Sequence, residues 1–239
     1  MQPQVNMTSN RNNVPVYVIA CKVFQHLLEQ HLPEDLAEPV KFMDYGLHQV
    51  PKNLRSALQD EIDMLPKPGL VVLGYGLCGK GLDGIKAGAH TLLVPRTDDC
   101  IAILLGSYQA YRDEFDSVPG TYYLTKGWLE AGSNPLQEYQ GYVEKYGQEQ
   151  ADMVMDVQYK NYKRLMFVAH NQEDLERYRP QALEVAKFCE RWGMRYEELQ
   201  GSEAYISRLV EVAAALDTMD EDFVMVPPGG ELQLSQFLR

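Results

Sequence analysis

Three cysteines follow apolar runs in the first half of the chain: Cys21 after VPVYVIA, Cys78 in the glycine-rich segment after GLVVLGYG, and Cys100 shortly after HTLLVPR. A thiolate is both a ligand for soft metals and a nucleophile. Each run reads as a buried strand, so the thiols take equivalent places at strand carboxyl ends, where an open parallel sheet forms its ligand crevice. Helix amino ends and a cation such as Arg96 or Lys80 would lower thiol pKa values there. Taken singly, each cysteine reads better as a small buried apolar residue. The agreement of three positions is what favours chemistry. Cys21, Cys78 and Cys100 then hold zinc with an open or His48-filled fourth position, or a 4Fe-4S cluster with one iron left free. No C-x-x-C spacing chooses between these, and zinc is the first choice. Cys189, in EVAKFCERW on an amphipathic helix, reads as core.

Other side chains join the same crevice. Asp44 and His48 end VKFMDYGLH, which makes His48 a candidate fourth ligand or general acid-base group, against the plainer reading of a hydrogen-bonded surface histidine. A metal-free thiol enzyme, with Cys78 as nucleophile and His48 as base, is a further possibility. Arg96 is a candidate for holding a substrate carboxylate or stabilising thiolates, and Asp98 or Asp99 can cap the following helix. Gly76 and Gly79 let the backbone pass close to a metal or small ligand and orient Cys78, with Asp99 beside them. His170 reaches the crevice only if the second half closes over it, and His90, at the start of a strand, is structural. Gly74, Gly76 and Gly79 also match G-x-G-x-x-G, but HTLLVPR ends in arginine where a dinucleotide site wants an acid, and Walker A is absent.

The elements that must position these residues alternate. VPVYVIA is a strand and KVFQHLLEQHL a helix; VKFMDYGLH is a strand, and Pro51 opens the helix PKNLRSALQDEIDML. Two further short strands, one helix over DDCIAILLGSYQAYRDEF and the strand GTYYLTKGW follow. A polar, tyrosine-rich helical stretch intervenes, in which Tyr139, Tyr142, Tyr146, Tyr159 and Tyr162 make either a partner surface or ordinary helix packing. The alternation resumes with KRLMFVAH and ends with the strand DFVMVPP. The pattern predicts an α/β protein: a Rossmann-like parallel sheet flanked by helices over 1–130, a helical bridge over 131–160, and a second Rossmann-like half over 161–239. The ending VPPGGELQLSQFLR is either a tail or a cover for the crevice.

Composition narrows the function. A net charge of -12 and a pI near 4.9 argue against nucleic acid as a partner. MQPQVNMTSNRNNVPV has no signal-peptide core and no run approaches a membrane span, so a cytoplasmic protein is expected. Four cysteines over 239 residues make a poor disulfide framework.

At IACKVF, MDYGLHQVPKNLRSALQDEID, LGYGLCGKGL, AGAHTLLVPRTDDCIAILLGS and GTYYLTKGWLE the sequence resembles the domain of unknown function 1638 family. The resemblance covers nearly the whole chain and implies no established reaction. It implies an anaerobic setting beside corrinoid-dependent methyltransferase systems, hence a small-molecule substrate, a corrinoid met only through a partner protein, and a corrinoid protein or methyltransferase as that partner. The expectation is a metal-binding protein serving methyl transfer or thiol activation. The alternative is a non-catalytic accessory protein for such a system.

Overall fold

The structure is a computed structural model that describes residues 14–37 and 39–239; the amino-terminal segment read above as lacking a signal-peptide core lies, up to Asn13, outside them. The first sheet starts with β1 (Val16–Cys21), whose β-branched run is buried from Tyr17 onward. The chain turns through α1 (Gln25–His31) to β2 (Val40–Met43), which pairs parallel with β1. It then crosses back through α2 (Pro51–Asp63) to β3 (Leu70–Gly74) on the other side of β1. Pro51 opens α2, as the sequence predicts, and Leu54, Leu58 and Ile62 bury one stripe of it. β4 (Thr91–Pro95) adds beyond β3, giving the order β2-β1-β3-β4. Strands buried on both faces account for the continuous Val, Ile and Leu runs. The order reverses between β1 and β3, the point at which such sheets bind ligands.

Two features of the sequence pattern come out differently. The single helix expected after HTLLVPR is two, α3 (Ile101–Leu105) and α4 (Tyr108–Ser117). Gly106 separates them with a left-handed φ of 88°, and Ser107 restarts the helix by accepting a hydrogen bond from the Ala110 amide at 3.0 Å. Sheet membership also crosses the segments drawn from the sequence. β5 (Thr121–Thr125) belongs with β6 (Arg164–Ala169) and β7 (Arg195–Gln200) in a parallel three-stranded sheet, while β8 (Phe223–Val226) returns to pair antiparallel with β4. The first sheet is therefore mixed.

Between β5 and β6 lie α5 (Lys126–Glu130) and a helical hairpin, α6 (Pro135–Tyr146) and α7 (Gln148–Tyr159). The helical bridge expected there is this hairpin. α8 (Gln172–Cys189) and α9 (Ala204–Ala214) complete the second half. Buried side chains of both sheets form one hydrophobic cluster. Arg164, buried at the start of β6, ties α4 to the second sheet through Glu114 at 2.6 Å and Glu197 at 3.1 Å. After β8 the ending is a strap along the β3–β4 connection: the Gly84 amide donates to Leu232, the Leu232 amide to Ile85, and Phe237 is buried.

Candidate functional site

Cys21 is the last residue of β1 and is buried. Burial pushes its thiol up to about 12, with Cys78 and Asp44 adding to the rise against the backbone amide of Val23. Cys78 stands beyond β3 in a left-handed stretch: φ is 46° at Cys78, 62° at Gly79 and 72° at Lys80. Two of these three are not glycine, so this loop carries backbone strain of the kind that gathers at ligand sites. The Leu77 amide donates to Thr97 at 2.8 Å and the Cys78 amide to Asp98 at 2.9 Å, so the loop lies directly on the β4–α3 connection. That connection delivers Cys100 to the start of α3. The Cys78 thiol is the strongest influence on Cys100, followed by burial, and both hold the Cys100 thiol protonated. Tyr75, between β3 and Cys78, is buried, and its hydroxyl has no hydrogen-bond partner among the described residues. All three thiols act on that hydroxyl, burial being the larger cause of its raised pKa.

The other expected residues divide. Asp44 accepts from the Gly46 amide at 2.8 Å, capping a 3-10 turn over Tyr45–Gln49, and acts on Cys21. Asp99, one residue ahead of Cys100 at the N-cap position of α3, accepts from the Ile101 amide at 2.8 Å, and burial pushes its carboxyl up to about 6. Gly76 is needed for packing: a Cβ there would stand 2.4 Å from the carbonyl carbon of Asp99. Gly79 is needed for its left-handed φ. Arg96, expected at the crevice, donates instead from Nε to the Gln236 carbonyl at 2.8 Å and from Nη2 to that of Leu238. His48 packs edge-on against Trp128, with ring centroids 6.5 Å apart; burial lowers its pKa, and Glu138 is the charged group that acts on it. His170 faces the Leu104 carbonyl at 3.1 Å and His26 at 5.9 Å, within the contact between the two halves. His90, buried against Tyr17 just before β4, keeps its structural reading. Among the described residues no three His, Cys, Asp or Glu side chains stand in a geometry that would already hold a metal ion.

A cavity of 660 Å³ opens between the first-sheet loops, β5 and the hairpin, and none of the three cysteines lines it. Asp99 and Ile101, the residues on either side of Cys100, line it, as does His48. A second lobe of 440 Å³, reaching Asp44, shares Gln49, Ser133 and Glu138 with the first.

The family model for proteins of unknown function DUF1638 matches residues 42–210, well over half of the chain. The chain belongs to the DUF1638 family. The matched span of this DUF1638 protein includes Asp44, His48, Cys78, Asp99, Cys100 and all residues that line the cavity, and leaves Cys21 ahead of it. No curated protein and no solved structure gives a significant match. No helix of the described residues is long and apolar enough to cross a membrane.

Sequence reasoning missed part of the candidate site. Tyr75 sits inside GYG, where the flanking glycines drew the attention, and Trp128, Glu138, Tyr122 and Tyr123 read as strand or helix packing. Of the tyrosines noted in the bridge, Tyr139 packs on Phe188 at 5.0 Å, whereas Tyr142, Tyr159 and Tyr162 line the cavity, Tyr159 also packing on Trp192 at 5.2 Å. A cue was available: Glu138 three residues after the Pro135 that opens α6, on the same helix turn as Tyr142, puts a carboxylate and a ring on one face.

Proposed function

We propose that this DUF1638 protein binds a thiophilic metal through Cys21, Cys78 and Cys100, zinc in first place and a 4Fe-4S cluster as the alternative. In this reading it serves thiol activation or corrinoid-linked methyl transfer in a reducing cytoplasm. The observation that carries the reading is that Cys21, Cys78 and Cys100 all act electrostatically on the buried, unpartnered hydroxyl of Tyr75. Burial and neighbouring negative groups, Asp44 for Cys21 and Asp99 for Cys100, resist thiolate formation, and no cation is among their influences. A metal ion reverses that preference, because its charge favours the thiolates that bind it. Bound by three thiolates, such an ion offers an exchangeable position to a substrate thiol and acts as a Lewis acid.

The chain's own residues have assignable roles. Tyr75, whose hydroxyl is otherwise stranded in the core, is the group that would donate a hydrogen bond to a metal-bound thiolate. His48, kept neutral by burial, is the acid-base group on the cavity wall where a small-molecule substrate sits. A free-thiol enzyme with Cys78 as nucleophile and His48 as base has less support, since His48 meets Trp128 and Glu138 and no thiol acts on it. A second reading, an accessory protein that docks a corrinoid protein or methyltransferase, draws on Met153, Val154 and Val157, apolar residues exposed on α7.

Competition for zinc against a chromophoric chelator, under reducing conditions without oxygen, tests the metal reading. The wild type should take zinc from the chelator and Cys100→Ser should lose at least tenfold in affinity. Equal uptake by both would remove Cys100 from the site. Loss of turnover against loss of partner binding in Cys78→Ser separates the enzyme from the accessory protein.

A further inference from the structure

The 660 Å³ cavity has a composition that the thiol site does not explain. Its walls carry Tyr122, Tyr123, Tyr142, Tyr162 and Trp128, drawn from β5, α5, α6 and the turn after α7. Two carboxylates enter it from different elements, Asp99 from the β4–α3 connection and Glu138 from α6. Among the described residues that line it there is no lysine or arginine. Three of the rings brace one another: Tyr122 meets Tyr159 at 5.7 Å and Tyr162 at 5.8 Å, both edge-on. The Tyr159 hydroxyl donates to Glu138 Oε2 at 2.7 Å, which fixes that carboxylate against the aromatic wall. Tyr123 Oη is buried and finds no partner among the described residues.

Aromatic faces attract cations through their quadrupole, and the attraction strengthens when water is excluded. An anion would meet two carboxylates and no positive side chain. A neutral apolar ligand would leave both carboxylates without a countercharge. Gln49, Ser133, Gln158 and the two carboxylates offer acceptors that a primary ammonium can also use, so it is the cluster of aromatic faces that favours a cation whose charge is spread over carbon. A methylated onium group needs no acceptor: its charge is spread over methyl surface that packs on rings, and nearby carboxylates neutralise it without direct bonds. A cavity of this size accepts a small molecule with room for a further polar arm.

We propose that this cavity is a binding site for a small organic cation carrying a methylated onium group, caged by Tyr122, Tyr142, Tyr162 and Trp128 and neutralised by Glu138 and Asp99. The site does not depend on a metal at the thiols, so it stands or falls separately from the reading above. Calorimetric titration of the full chain with choline and tetramethylammonium, at pH 8 and low salt, tests it. Both should bind saturably, and the neutral carbon isostere of choline, with a tert-butyl group in place of trimethylammonium, should bind at least tenfold more weakly. Tyr162→Leu and Glu138→Gln should each lose about tenfold in choline affinity. Tyr162→Phe, which keeps the ring and guards against a folding defect, should stay within about twofold. Absence of saturable binding, equal binding of the isostere, or unchanged affinity in both Tyr162→Leu and Glu138→Gln would overturn the proposal.

Discussion

Gly76 and Asp99 touch so closely that no side chain fits between them: a Cβ on Gly76 would lie 2.4 Å from both the carbonyl carbon and the carbonyl oxygen of Asp99. The neighbouring amides complete the contact, with Leu77 donating to Thr97 and Cys78 to Asp98. This backbone seam sets Cys78 against Cys100, so the spacing of two thiols that are distant in sequence depends on one missing methyl group. Gly76→Ala is expected to force the loops apart, destabilising the protein by about 1–3 kcal/mol as overpacking does. It should also weaken zinc binding more than Gly88→Ala, where a Cβ meets nothing and only the left-handed φ of 56° is penalised. Thermal unfolding and chelator competition on the two variants check this.

Arg96 and the carboxyl-terminal strap make a second case. Its guanidinium donates to the carbonyls of Gln236 and Leu238, and Arg239 returns the contact by donating to the Arg96 carbonyl at 3.0 Å. Arg96→Met is expected to cost about 1–2 kcal/mol, the scale of a lost charged-group hydrogen bond that water partly replaces. Hydrogen exchange should show faster amide exchange over residues 232–239. Unchanged exchange there, with weakened substrate binding, would return Arg96 to the role the sequence suggested.

Much of the fold was legible because its strands are buried on both faces and its helices carry apolar stripes, as β1, β3 and α2 illustrate. The split of α3 from α4 was not, because Gly106 inside an apolar run reads as a tolerated helix residue until its left-handed φ is known. The partnering of β5 and β8 was hidden for another reason: periodicity identifies a strand and says nothing about which sheet receives it. Among the candidate residues, the places of Cys21, Cys78 and Cys100 at or after strand ends were legible from the apolar runs that precede them. The environment of Arg96 and the cavity wall were not, since both arise from residues more than one hundred positions apart or from tyrosines whose helical spacing suits ordinary packing equally well.

His26 and His170 meet at 5.9 Å where the two halves pack, and this gives the protein an acid limit. Burial lowers His26 to about 4, with Lys126 and His170 adding to the fall against Asp174 and Glu203. The unfolded chain takes up this proton near 6.5 while the folded one resists it. Stability is therefore complete above about pH 6.5 and declines as the pH falls toward 4. After allowance for solvent screening the loss is about 1–2 kcal/mol. Denaturant midpoints measured at pH 7 and pH 4.5 should differ less in His26→Gln than in the wild type. An identical decline in both would assign the acid sensitivity elsewhere.

Metal uptake should itself depend on pH. A thiol raised to about 12, as at Cys21, must lose its proton to bind, so apparent zinc affinity is expected to climb by more than tenfold per pH unit between pH 6 and pH 8. A flat profile would indicate ligands other than the thiols.

The central claim rests on Cys21, Cys78 and Cys100 acting together. Zinc, iron and acid-labile sulfide should be measured on protein purified without oxygen or nickel resin, beside the Cys21/Cys78/Cys100→Ser variant. Close to one zinc per chain, or about four irons with matching sulfide, present in the wild type and lost in the variant, is the predicted result. A wild type that holds neither and takes up neither on reconstitution, or a variant that keeps its metal, would contradict it.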